Sequence, residues 1–85
     1  MPEISRFYGI VIKMNTNEHP PPHFHAEYGE HEALVSIVTG EVIRGNLPNR
    51  ALRMVLEWRG LHQVELQDNW GRMLTRQSLF KIEPL

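Results

Sequence analysis

The chain has 85 residues, of which 41% are hydrophobic and 22% are charged, and its formal net charge is −1. This length suits a single domain over residues 1–85, and the composition excludes a disordered chain. The small net charge provides no overall attraction to nucleic acid or lipid, and the lack of cysteine excludes disulfides and thiolate metal sites. No apolar run approaches the roughly 18 residues that span a membrane, so we expect a cytoplasmic protein.

The N-terminal half carries the β-branched and aromatic residues that are typical of strands. Residues 6–14 predict a first strand, and the three prolines of residues 20–22 predict a stiff, extended loop before the second. Further strands are predicted at about 23–28, 32–38 and 41–44, with turns at Gly29-Glu30 and Thr39-Gly40 between them. Such short connections imply antiparallel neighbours.

The C-terminal half begins with the strongest helix signal of the chain, over residues 48–70. At about 100° per residue, seven apolar residues share one broad face, with His62 near its centre. These are Ala51, Leu52, Met54, Val55, Trp58, Leu66 and Trp70. Leu56, Leu61 and Val64 lie off that face and are predicted to meet a second surface or a partner. A last strand is predicted at 78–83. The fold class is therefore α+β, a small antiparallel sheet of 4–5 strands with one long helix across one face.

Four of the five histidines lie in residues 18–31, EHPPPHFHAEYGEH. In a strand, His23 and His25 point to the same side, and Glu27 is the next residue on that side. Two imidazoles and a carboxylate form a ligand set for a divalent metal ion. His19, Glu30 and His31 are further candidate ligands. Because only two ligands are certain, we expect weak binding and no tightly held metal or other cofactor.

The same histidines allow two other interpretations. Imidazole titrates near pH 6.5, so His23 and His25 are candidate catalysts of metal-independent RNA cleavage. In that case arginines would hold phosphates and a tyrosine would stack on a base. The candidates are Arg44, Arg50, Arg53, Arg59, Tyr8 and Tyr28. His62 is a third candidate catalyst, although a histidine centred on an apolar helix face is more often a buried, hydrogen-bonded residue. The remaining interpretation is a polar strand face with no chemistry.

The direction of residue 24 distinguishes two arrangements of this segment. Strand alternation sends either Phe24 or the two histidines toward the helix. Hydrophobicity favours Phe24, which we predict to pack against Ala51, Val55 and Trp58. The His-x-His face then looks away from the helix, toward water or a partner.

Three segments of the chain resemble a known family. They are MPEISRFYGIVIKM, the long run from HPPPHFHAEYGEHEALVSIV to RMVLEW, and the ending KIEPL. Together they are similar to the bacterial domain-of-unknown-function family 4160, whose pattern includes His23, Phe24, His25 and His62. No established catalytic role comes to these residues from the resemblance.

The resemblance does imply a genetic context. Members are small prokaryotic proteins often encoded beside a protein of domain-of-unknown-function family 2442, a pairing that looks like a two-gene toxin–antitoxin module. We therefore expect a component that binds this protein partner, and RNA or a second copy of the chain are the other partners the sequence admits. Whether the protein is an enzyme is left open.

Overall fold

A five-stranded antiparallel sheet forms one layer of the structure, a computed structural model that describes residues 2–85. Each strand pairs with the next along the chain, so the sheet is a simple meander in the order β1-β2-β3-β4-β5. Two helices and several loop residues, among them Leu47 and Ile82, supply the rest of the core. The elements are β1 Glu3–Phe7, β2 Ile10–Lys13, β3 His23–Tyr28, β4 His31–Ser36, β5 Val42–Gly45, α1 Asn49–Leu61 and α2 Gln63–Leu74. The predicted α+β class and the antiparallel sheet are confirmed.

The first predicted strand, residues 6–14, is wrong as a single element. It is a hairpin, because Tyr8 and Gly9 both have positive φ, 49° and 80°, and form a two-residue turn between β1 and β2. Turns with two left-handed residues match the natural twist of a hairpin. The turn resets the alternation, so Phe7 and Ile10 are both buried although three positions separate them.

The single long helix predicted for residues 48–70 is also wrong. The helix is interrupted at His62, whose backbone (φ −126°, ψ 28°) is not helical, and α2 then continues to Leu74. A straight helix over residues 49–74 would be about 39 Å long, whereas the longest dimension of the molecule is 33 Å. The break therefore keeps both halves on the core. Trp58 of α1 and Leu66 of α2 are both fully buried.

The strand predicted at 78–83 does not form. The segment after α2 is instead held by side chains and by one backbone contact. Asn69 donates to the carbonyl of Phe80 and accepts from its N–H, both at 2.9 Å, and the indole of Trp58 donates to the carbonyl of Glu83 at 2.8 Å. Ile82 donates its N–H to the carbonyl of Ile4 at 2.7 Å, but a single backbone bond does not make a strand ladder.

The core lies between one face of the sheet and the helices. Phe24 is fully buried and its ring centroid lies 5.7 Å from that of Trp58 in an edge-on contact, so the inward direction predicted for Phe24 is confirmed. Ala51 and Val55 belong to the same buried cluster. Across residues 2–85, neither helix is long and apolar enough to cross a bilayer.

Candidate metal centre

Strand β3 holds His23 and His25 on the same side of the sheet, as the alternation predicts. Their ring centroids lie 5.6 Å apart, nearly edge to face. The loop before β3 returns over them and brings in Glu18. One oxygen of Glu18, Oε1, lies 2.8 Å from Nε2 of His25, and the other, Oε2, lies 3.5 Å from Nε2 of His23. The three residues each offer one ligand atom, and these atoms lie within 4.8 Å of one another.

The tautomer of His23 follows from its backbone contact. Its Nδ1 lies 2.8 Å from the carbonyl oxygen of Pro21, an acceptor, so Nδ1 carries a proton and donates it. Nε2 is then the atom that faces Glu18. It is buried and has no hydrogen-bond partner, since the carboxylate at 3.5 Å lacks the geometry of a hydrogen bond. A histidine that donates its second N–H to a carbonyl has the usual arrangement of a metal ligand.

His25 has carboxylates on both of its ring nitrogens. Nδ1 lies 3.3 Å from Oε2 of Glu32 on β4, and Nε2 lies against Glu18. Each carboxylate is placed to accept a hydrogen bond from the ring nitrogen that it faces. A metal ion would take the place of the Nε2 proton and leave Glu32 as the partner that orients the ring, as in carboxylate–histidine–metal sites.

The surroundings of Glu18 lower the pKa of its carboxyl group. Burial raises the pKa of this group, but hydrogen bonds from His25 and Asn15 and the positive charge of the two histidines outweigh burial, so the pKa lies below its usual value. The Asn15 amide donates to Oε1 at 3.1 Å. Glu18 is therefore ionised at neutral pH, the form in which a carboxylate binds metal.

Helix α2 covers one side of this cluster. The ring of His23 lies 5.3 Å from the indole of Trp70, and the residue is only 5% exposed. The prediction that the His-x-His face looks away from the helix, toward water or a partner, is therefore wrong for His23. The reason is the second helix, which the sequence did not predict as a separate element. His25 and Glu18 remain partly exposed and leave a route to solvent.

A comparison with known protein families finds a match that covers most of the chain. Residues 9–71 match the model described as Domain of unknown function (DUF4160). The chain belongs to the DUF4160 family. The matched range contains Glu18, His23 and His25. The resemblance to this family that was seen in the sequence is confirmed. No curated protein and no solved structure matches the chain.

Five of the ligand and catalytic candidates predicted from sequence lie outside the cluster. Glu27 shares the side of His23 and His25, but its carboxylate lies 3.2 Å from Nζ of Lys13. His62 lies at the helix break rather than at the centre of an apolar face. Its Nδ1 is 2.6 Å from Oε1 of Glu65, and its ring packs on Trp58. His19, Glu30 and His31 are exposed and are not part of the cluster.

Glu18 is the candidate ligand that sequence reasoning missed. The available signal was an acidic residue at the start of the proline run, five positions before His23. Because prolines restrict the backbone, the start of the loop and the start of β3 have a limited range of relative positions. Asn15 and Trp70 were likewise missed, since their contacts with the cluster depend on how the loop and α2 return to it.

The residues proposed for RNA binding lie in separate parts of the structure and not together with His23 and His25. Tyr8, Tyr28 and Arg50 line a separate cavity of about 720 Å³. Arg59 donates to the carbonyl oxygen of Ile37 at 2.8 Å and so anchors the loop after β4. The cavity with the two tyrosines contains neither His23 nor His25.

Proposed function

We propose that this domain binds a divalent transition-metal ion through Glu18, His23 and His25. The observation that carries the proposal is the convergence of three ligand atoms within 4.8 Å, one of them a buried nitrogen without a hydrogen-bond partner. Two nitrogens and one carboxylate oxygen suit zinc, iron, cobalt or nickel. Calcium and magnesium prefer sites made of oxygen.

The partners around the ligands support this function. Leaving a buried polar atom without a partner costs about 1–3 kcal/mol, and coordination of an ion by Nε2 of His23 would remove that cost. Pro21 and Glu32 already occupy the other ring nitrogens of the two histidines. These contacts hold both imidazoles in the orientation that a metal ion requires before any ion binds.

Three protein ligands leave at least one coordination position for water or a substrate, as in catalytic metal sites. Burial of His23 favours this ligand role over metal-independent RNA cleavage. A general base must come within hydrogen-bond reach of the proton that it removes. The ring of His23 is enclosed by Trp70, Pro21 and Glu18, which leave little room for a nucleotide.

The test is a calorimetric titration of the metal-free protein with zinc and with nickel. We expect one ion per chain, with affinity at least about tenfold weaker in Glu18→Gln and in His25→Gln. His62→Gln and Glu65→Gln are matched controls, because they alter a second His–Glu pair outside the cluster. Binding should release protons and weaken as pH falls. In NMR spectra, His23 and His25 should shift before His62.

Three results would refute metal binding by Glu18, His23 and His25. The first is the absence of binding to wild-type protein at millimolar zinc or nickel. The second is an unchanged affinity in both cluster variants, which would place the ion elsewhere. Equal losses in the cluster variants and in the His62 and Glu65 controls would also contradict the proposed ligands.

We also propose that the domain binds a protein partner, and a specific exposure favours this second function. Leu61 and Val64, on either side of the helix break, are 66% and 83% exposed. Leu56, the third apolar residue off the main helix face, packs against the core instead. The expected partner is the DUF2442-type protein of a two-gene, toxin–antitoxin-like module.

Co-expression with that partner, followed by size-exclusion chromatography, tests this function. We expect one joint peak that separates into two in Val64→Asp, because a charge in an apolar contact lacks a counter-ion. Val38→Asp is the control, since Val38 is another exposed aliphatic residue, in the loop after β4. Two separate peaks for the wild-type pair would refute it.

A further inference from the structure

Strand β5 is an open edge of the sheet. It pairs only with β4, and all four of its residues are exposed. Two of them, Val42 and Ile43, are large aliphatic residues. The register between β4 and β5 shifts at this point, so that Ile43 has no partner on β4. Unpaired edges with exposed aliphatic residues are templates for a further strand.

The sequence of this edge is complementary in charge to a second copy of itself that runs in the opposite direction. Residues 40–45 read Gly-Glu-Val-Ile-Arg-Gly, that is, an acid, two aliphatic residues and a base between two glycines. Because Ile43 is an extra residue with no partner on β4, Glu41 and Arg44 lie on the same face of the sheet although three positions separate them. In an antiparallel pair related by a two-fold axis between Val42 and Ile43, these two aliphatic residues lie opposite the same two residues of the second copy. Glu41 then faces Arg44 of the second copy, and Arg44 faces Glu41 of the second copy. Opposite charges at facing positions stabilise such a pair.

The two charged residues have no competing partner. Among the ion pairs of residues 2–85, none includes Glu41 or Arg44. The glycines have a separate explanation within the chain. Gly45 has a φ of 75°, and a Cβ there would overlap the carbonyl oxygen of Glu32. The self-complementarity therefore rests on residues 41–44 alone.

We propose that a second copy of this chain binds along β5, so that the two sheets join in one continuous antiparallel sheet. The contact is isologous, with the same surface on both copies, as in most homodimers. The strand is short, and the register irregularity at Ile43 twists the edge. An interface below about 1,000 Å² is typical of weak association. The dimer should therefore form only at high protein concentration.

The charge pattern provides a test that separates this pairing from other dimers. A dimer of Glu41→Arg contains two facing pairs of arginines, and a dimer of Arg44→Glu contains two facing pairs of glutamates. Each variant should dimerise at least about fivefold more weakly than wild type. An equimolar mixture of the two variants restores both opposite-charge pairs and should form a heterodimer. The double variant Glu41→Arg/Arg44→Glu should dimerise as wild type does.

Sedimentation equilibrium up to about 0.5 mM protein measures these affinities in the range expected of small interfaces. Circular dichroism confirms that each variant is folded. Arg53→Glu is the matched control, because it makes the same change of charge at another exposed site. A wild-type protein that stays monomeric would overturn the proposal, as would equal weakening by Arg44→Glu and Arg53→Glu. Failure of the two single variants to associate when mixed would also overturn it.

Discussion

Truncation of Phe24 tests the strand direction on which the position of the histidines depends. Phe24 is fully buried, and its edge-on contact with Trp58 adds to the burial of its surface. Phe→Ala in such a site costs about 3–5 kcal/mol, including the cavity that remains. For an 85-residue domain, the total free energy of unfolding is about 4–13 kcal/mol. Phe24→Ala should therefore remove a large part of the stability and lower Tm by more than about 10 °C.

Urea unfolding followed by tryptophan fluorescence provides the measurement, and Phe80→Ala is the matched control. Phe80 is 55% exposed, and its main contact is the guanidinium of Arg72 above its ring. That variant should lose about 1 kcal/mol or less. A loss below about 1 kcal/mol in Phe24→Ala would show that Phe24 faces solvent. Because alternation is strict, the histidines would then point inward.

Three further predictions concern the rest of the structure. Gly45→Ala should lose at least about 1–2 kcal/mol, because of its positive φ and the overlap with Glu32. Gly71→Ala, which meets no neighbouring atom, should be neutral or stabilising, and equal effects would contradict this explanation. Asn69→Ala should cost about 1–3 kcal/mol, because two backbone groups lose their partner. An unchanged urea midpoint would argue against this anchor. The lowered pKa of Glu18 stabilises the fold above its ordinary value of 4.5, and this contribution is lost as the pH falls through the lowered value. As the pH falls over that acidic range, the free energy of unfolding should decrease less in Glu18→Gln than in wild type. Parallel pH profiles of the two proteins would show that Glu18 does not cause the pH dependence.

The amino-acid sequence alone determined the features that depend on local pattern. Alternation of apolar and polar residues was enough to locate β3 and to direct Phe24 inward. Once Phe24 is inward, the pleat of the strand puts His23 and His25 together on the other side. The resemblance to DUF4160 was likewise visible in the sequence alone, and the family match covers residues 9–71. These features needed no knowledge of what packs against the strand.

The tertiary structure alone decided the features that depend on distant partners. The helix is interrupted at His62, and the two shorter helices fit a molecule whose longest dimension is 33 Å. Helix propensity contains no information about that dimension. The hairpin at Tyr8-Gly9 was missed because tyrosine is unusual in a left-handed conformation. Glu18 reaches the histidines because the proline loop folds back across the start of β3. A candidate site built from a loop and a strand and covered by a helix can be recognised only after all three have been packed together.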